Sequence, residues 1–158
     1  MTADTAERRK LEFTSIEQIE ADIDHLREAG YDQRGQWPLG KICAHLAMVP
    51  EKVMDGFGFF PTWPIRPILR RTWLPKWLSE GMPSGINGPK SFMPPDTCDD
   101  DEQVARLKQT HARWTTHTDK LHPSPLFGKL DKSTWNALHF VHCNHHLSFL
   151  VPRDSKAD

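Results

Sequence analysis

Neither a Cys-x-x-Cys pair nor an even-numbered cysteine framework occurs in this 158-residue chain, whose three cysteines stand apart at Cys43, Cys98 and Cys143. That usage fits a reduced, cytoplasmic protein rather than a disulfide scaffold. No run of about 18 uncharged apolar residues is present, so no transmembrane segment is expected. The opening MTADTAERRKLEF lacks the apolar stretch of a signal peptide. Charge of one sign is also missing: 20 Lys and Arg face 21 Asp and Glu, for a formal net charge of −1. Without a basic excess there is no electrostatic footprint for nucleic acid. GxSxG, P-loop and GxGxxG motifs are absent, as are internal repeats and the alternation of a β-strand. Tyrosine occurs once, whereas histidine occurs nine times.

Six Trp and eight Phe supply bulky core material in a length that suits one domain. The spacing predicts a helix over residues 15–29, with Ile16, Ile19, Ile23 and Leu26 on one stripe. Ser15 and Gln18 form a capping box at its start, and Gly30 stands at its stop. A second helix is expected over 39–57 through Ile42, Leu46, Val49, Val53 and Phe57. Pro50 within it should kink or split the helix. A third helix, over 67–78, should break near Pro75 and lead into a Gly- and Pro-rich loop. A fourth is expected over 99–121, with Asp99, Asp100, Asp101 and Glu102 in its first turn as a helix-start device. The last is expected over 134–150, with Ser133 as N-cap and Pro152 beyond its end. The expected fold class is all-α, a four-helix bundle with a proline-rich insert after the second helix. A polar arm (1–14) and a polar tail (153–158) should flank a single domain over 15–152.

The last helix carries His139, His142, His145 and His146 within eight residues. With His142 set at zero, a step of 100° per residue puts His146 at about +40°, His139 at about +60° and His145 at about −60°. Trp135, Leu138 and Phe149 share the central stripe with His142 and His146. Imidazoles at i and i+4 are close enough to converge on one metal. His45 on the second helix shares its inward face with Ile42, Leu46 and Val49 and is the candidate third ligand. His25 is a weaker choice, one position off its stripe. His139 and His145 should be more exposed or engaged elsewhere. Three imidazoles in one apolar core are costly without a common partner.

The segment WPLGKICAHLA around His45, followed by HxxxH in the closing run FGKLDKSTWNALHFVHCNHHLSFLVP, resembles the DinB-like superfamily. Within it, the closing run looks like a bacterial subfamily of unknown function. The superfamily includes the YfiT-like metal-dependent hydrolases and thiol-dependent transferases and isomerases. The resemblance spans about residues 15–152. It implies a four-helix bundle of DinB-like type, with His45, His142 and His146 holding a divalent metal, zinc or nickel. Pro50 and the insert after it depart from the pattern and alter the pocket wall.

Such a site leaves Zn²⁺ one open position for water or for a low-molecular-weight thiol cosubstrate. Hydrolysis follows from the first, and transfer or isomerisation of a small-molecule substrate from the second. No catalytic residue is assigned: Glu17, Glu20 and Asp24 have no spacing that argues for a general base. The competing expectation is a non-enzymatic bundle, with a structural metal or none, binding a small ligand or partner; a homodimer is left open. Cys43 and Cys143 read as buried, inert thiols. In residues 59–77, Arg66, Arg70, Arg71 and Lys76 are mixed with five aromatic residues. The plain reading is that these rings cap the bundle while the basic heads stay in water.

Overall fold

A computed structural model describes residues 8–86 and 88–156. Residues 1–7 of the expected arm, Asn87 of the Gly- and Pro-rich loop and residues 157–158 of the tail lie outside the described residues. The chain is mostly helical: α1 (Ile16–Ala29), α2 (Leu39–Asp55), α3 (Arg66–Glu80), α4 (Asp100–Thr116) and α5 (Lys132–Leu147). Two short strands, β1 (Tyr31–Gln33) and β2 (Leu150–Pro152), pair antiparallel with Tyr31 opposite Pro152. At three residues each, they are too short for alternation to reveal.

Helix α1 begins as its sequence dictates. The Ser15 hydroxyl accepts the Gln18 N–H at 3.3 Å, and Gln18 Oε1 accepts the Thr14 N–H at 2.8 Å. Gln18 thus reaches back one residue further than in the ordinary capping box. At α5 the expected cap is corrected: Asp131, not Ser133, accepts the Thr134 N–H at 2.7 Å, and the helix starts at Lys132. Helix α4 ends at Thr116, five residues short of the expected 121, with His117 in extended backbone. Neither proline interrupts its helix, since α2 runs through Pro50 and α3 through Pro75. Each removes an N–H donor, and the helices continue because packing outweighs that loss.

The acidic run does more than start α4. Asp99 accepts the Glu102 N–H at 2.8 Å and is the N-cap. Asp100 turns to α2, where Oδ1 accepts the Gly40 N–H at 2.7 Å. Tyr31 supplies the neighbouring acceptor, its hydroxyl taking the Leu39 N–H at 3.0 Å and donating to Asp100 Oδ2 at 3.2 Å. The start of α2, which follows Pro38 and has no side-chain cap of its own, is satisfied from across the fold. A Cβ at residue 40 would lie 2.6 Å from Asp100 Oδ1 and 3.0 Å from its Cα, so only glycine allows this approach.

Residues 9–13, within the polar arm expected over 1–14, are tied down. Arg9 forms a two-pronged ion pair with Asp22, at 2.6 and 2.8 Å, and also donates to the Leu147 carbonyl. Phe13 N–H donates to Asn144 Oδ1 at 2.9 Å, and Leu11 and Phe13 pack on the core.

The core consists of two apolar clusters. One gathers Ile19, Ile23, Leu46, Leu107 and Leu147; the other gathers Val53, Leu74, Trp114, Trp135 and Leu138. Histidines occupy the change from one to the other. On α4, His111 falls between Leu107 and Trp114; on α5, His139 and His142 fall between Leu138 and Leu147. A polar layer therefore crosses the interior and must find its hydrogen bonds there.

Candidate metal centre

His45, His142 and His146 each present a ring nitrogen, and the three nitrogens lie within 4.8 Å of one another. This is the one such group of three potential ligands found among the described residues. The ring centroids are 4.7 Å apart for His45–His146 and 4.8 Å for the other two pairs. The rings meet at 73–75° to one another, like the blades of a propeller. Helix α5 supplies two of them because i and i+4 share a face. Helix α2 supplies the third because the residues flanking His45, from Ile42 to Ala47, are buried and turn that stretch inward.

Hydrogen bonds fix what each nitrogen can do. His45 Nδ1 donates to the Phe92 carbonyl at 2.8 Å. Its Nε2 is then a lone pair, and it faces His142 Nε2 at 2.9 Å. Among the described residues the His146 ring makes no hydrogen bond; it is held by ring contacts. Trp37 stacks on it at 5.5 Å and 7°, and presents an edge contact to His45 at 5.1 Å. A ring with a carbonyl on its far nitrogen and a bare lone pair inward is how a metal-binding histidine is oriented. Nitrogens 2.9 Å apart can both lie at about 2.0–2.1 Å from one ion. The residues present therefore fit a divalent metal.

Burial keeps these imidazoles neutral. It pushes His142 well below the usual histidine range, with His146 and His45 nearby adding to the effect. It pushes His146 down to about 2, again helped by His45. It lowers His45 too, against the opposing bond to Phe92. Neutral imidazole is the form that binds metal.

The other histidines sort differently. His139 is buried, at 7% exposure, so exposure is corrected and engagement elsewhere holds. Its Nε2 lies 2.9 Å from His111 Nε2, and His111 Nδ1 lies 2.9 Å from Glu20 Oε1. Burial pushes His139 down to about 3 and lowers His111, against the Glu20 carboxylate. Sequence reasoning gives His111 no role and finds no spacing that makes Glu20 a general base. A buried histidine on α4 facing the His139 edge of α5 was the available signal. His145 is half-buried, edge-on to His146 at 4.9 Å, and burial pushes it down to about 4. His25 is exposed and pairs with Asp154 at 2.6 Å, far from the candidate role. Cys43 and Cys143 are fully buried, and burial pushes the Cys43 thiol up to about 12.

The two described cavities lie elsewhere. One of about 810 Å³ is lined by Tyr31, Asp32, Arg34 and Asp100 among others, and one of about 310 Å³ by residues around Phe57 and His122. Access to the three histidines is over His45 and His146, which are half-buried rather than sealed.

Fold and site together define a mostly helical protein with a three-histidine cluster compatible with metal binding. A family model described as "Protein of unknown function (DUF1569)" matches residues 5–153, and the chain belongs to that family. No curated protein and no solved structure matches the chain.

Proposed function

We propose that the chain is a metal-dependent enzyme of DinB-like type, with α3 as an insert to a four-helix bundle and His45, His142 and His146 as ligands of one divalent ion. The observation that carries this reading is the pairing of a convergent nitrogen trio with a carbonyl-bound far nitrogen on His45. A zinc or nickel ion there would acidify a water or thiol at its open position. The chain's own residues hold the geometry. Phe92 fixes the His45 tautomer, and Trp37 holds the His146 ring. The substrate is a small molecule, and the reaction is hydrolysis, or transfer or isomerisation that depends on a low-molecular-weight thiol.

A second reading has one observation in its favour: no carboxylate is bonded to any of the three histidines among the described residues. With no general base in contact, a non-enzymatic bundle that binds metal or a small ligand is the alternative. Elemental analysis of protein purified without a nickel column separates the two, followed by circular dichroism with chelator and a screen of hydrolase and thiol-transfer substrates. The enzyme reading expects about one ion per chain, helicity kept after chelation, and activity restored by one metal. Absence of any ion, or unfolding on chelation with no exogenous ligand bound to the holo form, overturns it.

A further inference from the structure

Every large hydrophobic side chain that stands exposed among the described residues falls between Phe59 and Met93. Phe59 is 90% exposed, Trp63 73% and Ile68 62%, with Ile65, Trp73 and Leu78 beside them in sequence. No other part of the described chain shows one, so exposed apolar side chains are confined to this segment rather than scattered along the chain. Charge is localised in the same place. Residues 56–95 hold five Lys and Arg against a single Glu, in a chain whose totals are 20 and 21.

The expected capping role covers only part of this. Leu74 and Trp77 are the buried residues of α3, and Trp77 meets Phe127 edge-on at 5.4 Å. Leu69 is partly buried against the same core cluster, whereas Phe59, Trp63, Ile65, Ile68, Trp73 and Leu78 stand exposed. Its cations are left largely without carboxylates. Arg66 and Arg70 donate to the backbone carbonyls of Pro125 and Lys129, and Lys76 has only exposed Glu80, at 3.9 Å. A carbonyl orders a guanidinium without neutralising it.

We propose that residues 59–78 dock this protein on the surface of an anionic lipid bilayer. Phe59 and Trp63 enter the boundary between headgroups and acyl chains, and Arg70, Arg71 and Lys76 meet lipid phosphates. Aromatic and aliphatic side chains beside exposed Arg and Lys are what an interfacial element requires. A second copy is disfavoured by charge, since a symmetric contact would set this basic face against itself. Single-stranded nucleic acid could stack on Phe59, Trp63 and Trp73, but it would leave the aliphatic Ile65, Ile68 and Leu78 in water, whereas a bilayer covers both kinds of side chain. Among the described residues no helix is long and apolar enough to cross a membrane.

The test is co-sedimentation of the full chain with vesicles of phosphatidylcholine alone and of phosphatidylcholine with phosphatidylglycerol, at low and high salt. Binding should require the anionic lipid and fall as salt rises. Phe59→Ser with Trp63→Ser, and separately Arg71→Glu with Lys76→Glu, should each weaken it by about tenfold or more. Neither pair touches the histidine cluster, so metal content should be unchanged. Failure to bind anionic vesicles overturns the proposal, as does undiminished binding by both variants. Self-association in sedimentation velocity that Trp63→Ser abolishes, with no vesicle binding, would assign the face to a second copy instead.

Discussion

Two groups of buried histidines lie within one turn of each other on α5, and they differ in where their nitrogens are spent. In the Glu20–His111–His139 chain each bonded nitrogen meets a protein group, running from a partly exposed carboxylate to a core imidazole. At His45, His142 and His146 the rings surround a common point, and the one bond to the backbone lies on the far side of His45. Nearly equal Nε2–Nε2 contacts of 2.9 Å thus belong to two arrangements. Proximity of two imidazoles does not distinguish a metal centre from a hydrogen-bonded core network; a third ring nitrogen within 4.8 Å of both is what makes the trio compatible with a metal.

The sharpest way to break this contrast is to remove a nitrogen from each group. His142→Ala should lower metal affinity more than about a hundredfold, measured by titration with a competing chelator. His145→Ala, next to the trio but outside it, should leave affinity close to that of the wild type. His139→Ala should do the reverse, keeping the metal while losing about 2–3 kcal/mol in urea unfolding, because it opens a cavity and strands His111. If His139→Ala strips the metal instead, the two groups are one site and the comparison fails.

Acid should act on both groups together. The pKa of His139 is pushed down to about 3, that of His145 to about 4 and that of His146 to about 2. Between these values and the ordinary histidine value near 6.5, the unfolded chain binds protons that the folded chain does not. Stability of the metal-free protein is therefore full above about pH 6.5 and falls as pH drops, by up to about tenfold in the folding constant per pH unit per histidine. Added metal should hold off this loss if it binds the trio, which is checked by melting temperature against pH with and without the ion. The smallest effect is expected for Glu20→Gln, about 1 kcal/mol, since an amide still accepts from His111. A thermal melt that shows no change would mean that Glu20 serves the surface only.

The trio was open to sequence reasoning because it rests on helical phase, which a single strand of sequence carries. His142 and His146 follow from 100° steps along α5, and His45 from its place between Ile42 and Leu46. The Glu20–His111 contact was not open to it, since it depends on how α1 lies against α4. Phe92 was equally hidden: it acts through a backbone carbonyl in a proline-rich loop, which any residue type would offer. Asp100 was read as serving its own helix, because a first-turn carboxylate looks the same whether it caps α4 or reaches to Gly40. Trp37 was quoted only as part of a motif, and its stacking on His146 needed the turn before α2.

The Phe92 carbonyl ties whatever the His45 inner nitrogen does to a stretch of chain that contributes none of the three histidines. Whatever His45 Nε2 binds, it binds in the ring orientation that this carbonyl selects. Occupancy of the inner nitrogen and docking of residues 90–92 are then two equilibria with one coupling constant. By reciprocity, any factor by which the docked segment tightens an ion at His45 is the factor by which that ion tightens the segment. Amide exchange at Phe92 and Met93 thus reports on events at a nitrogen on the other side of an imidazole. A proline or glycine placed in that segment would tune the affinity of the centre without altering any residue that touches the ion.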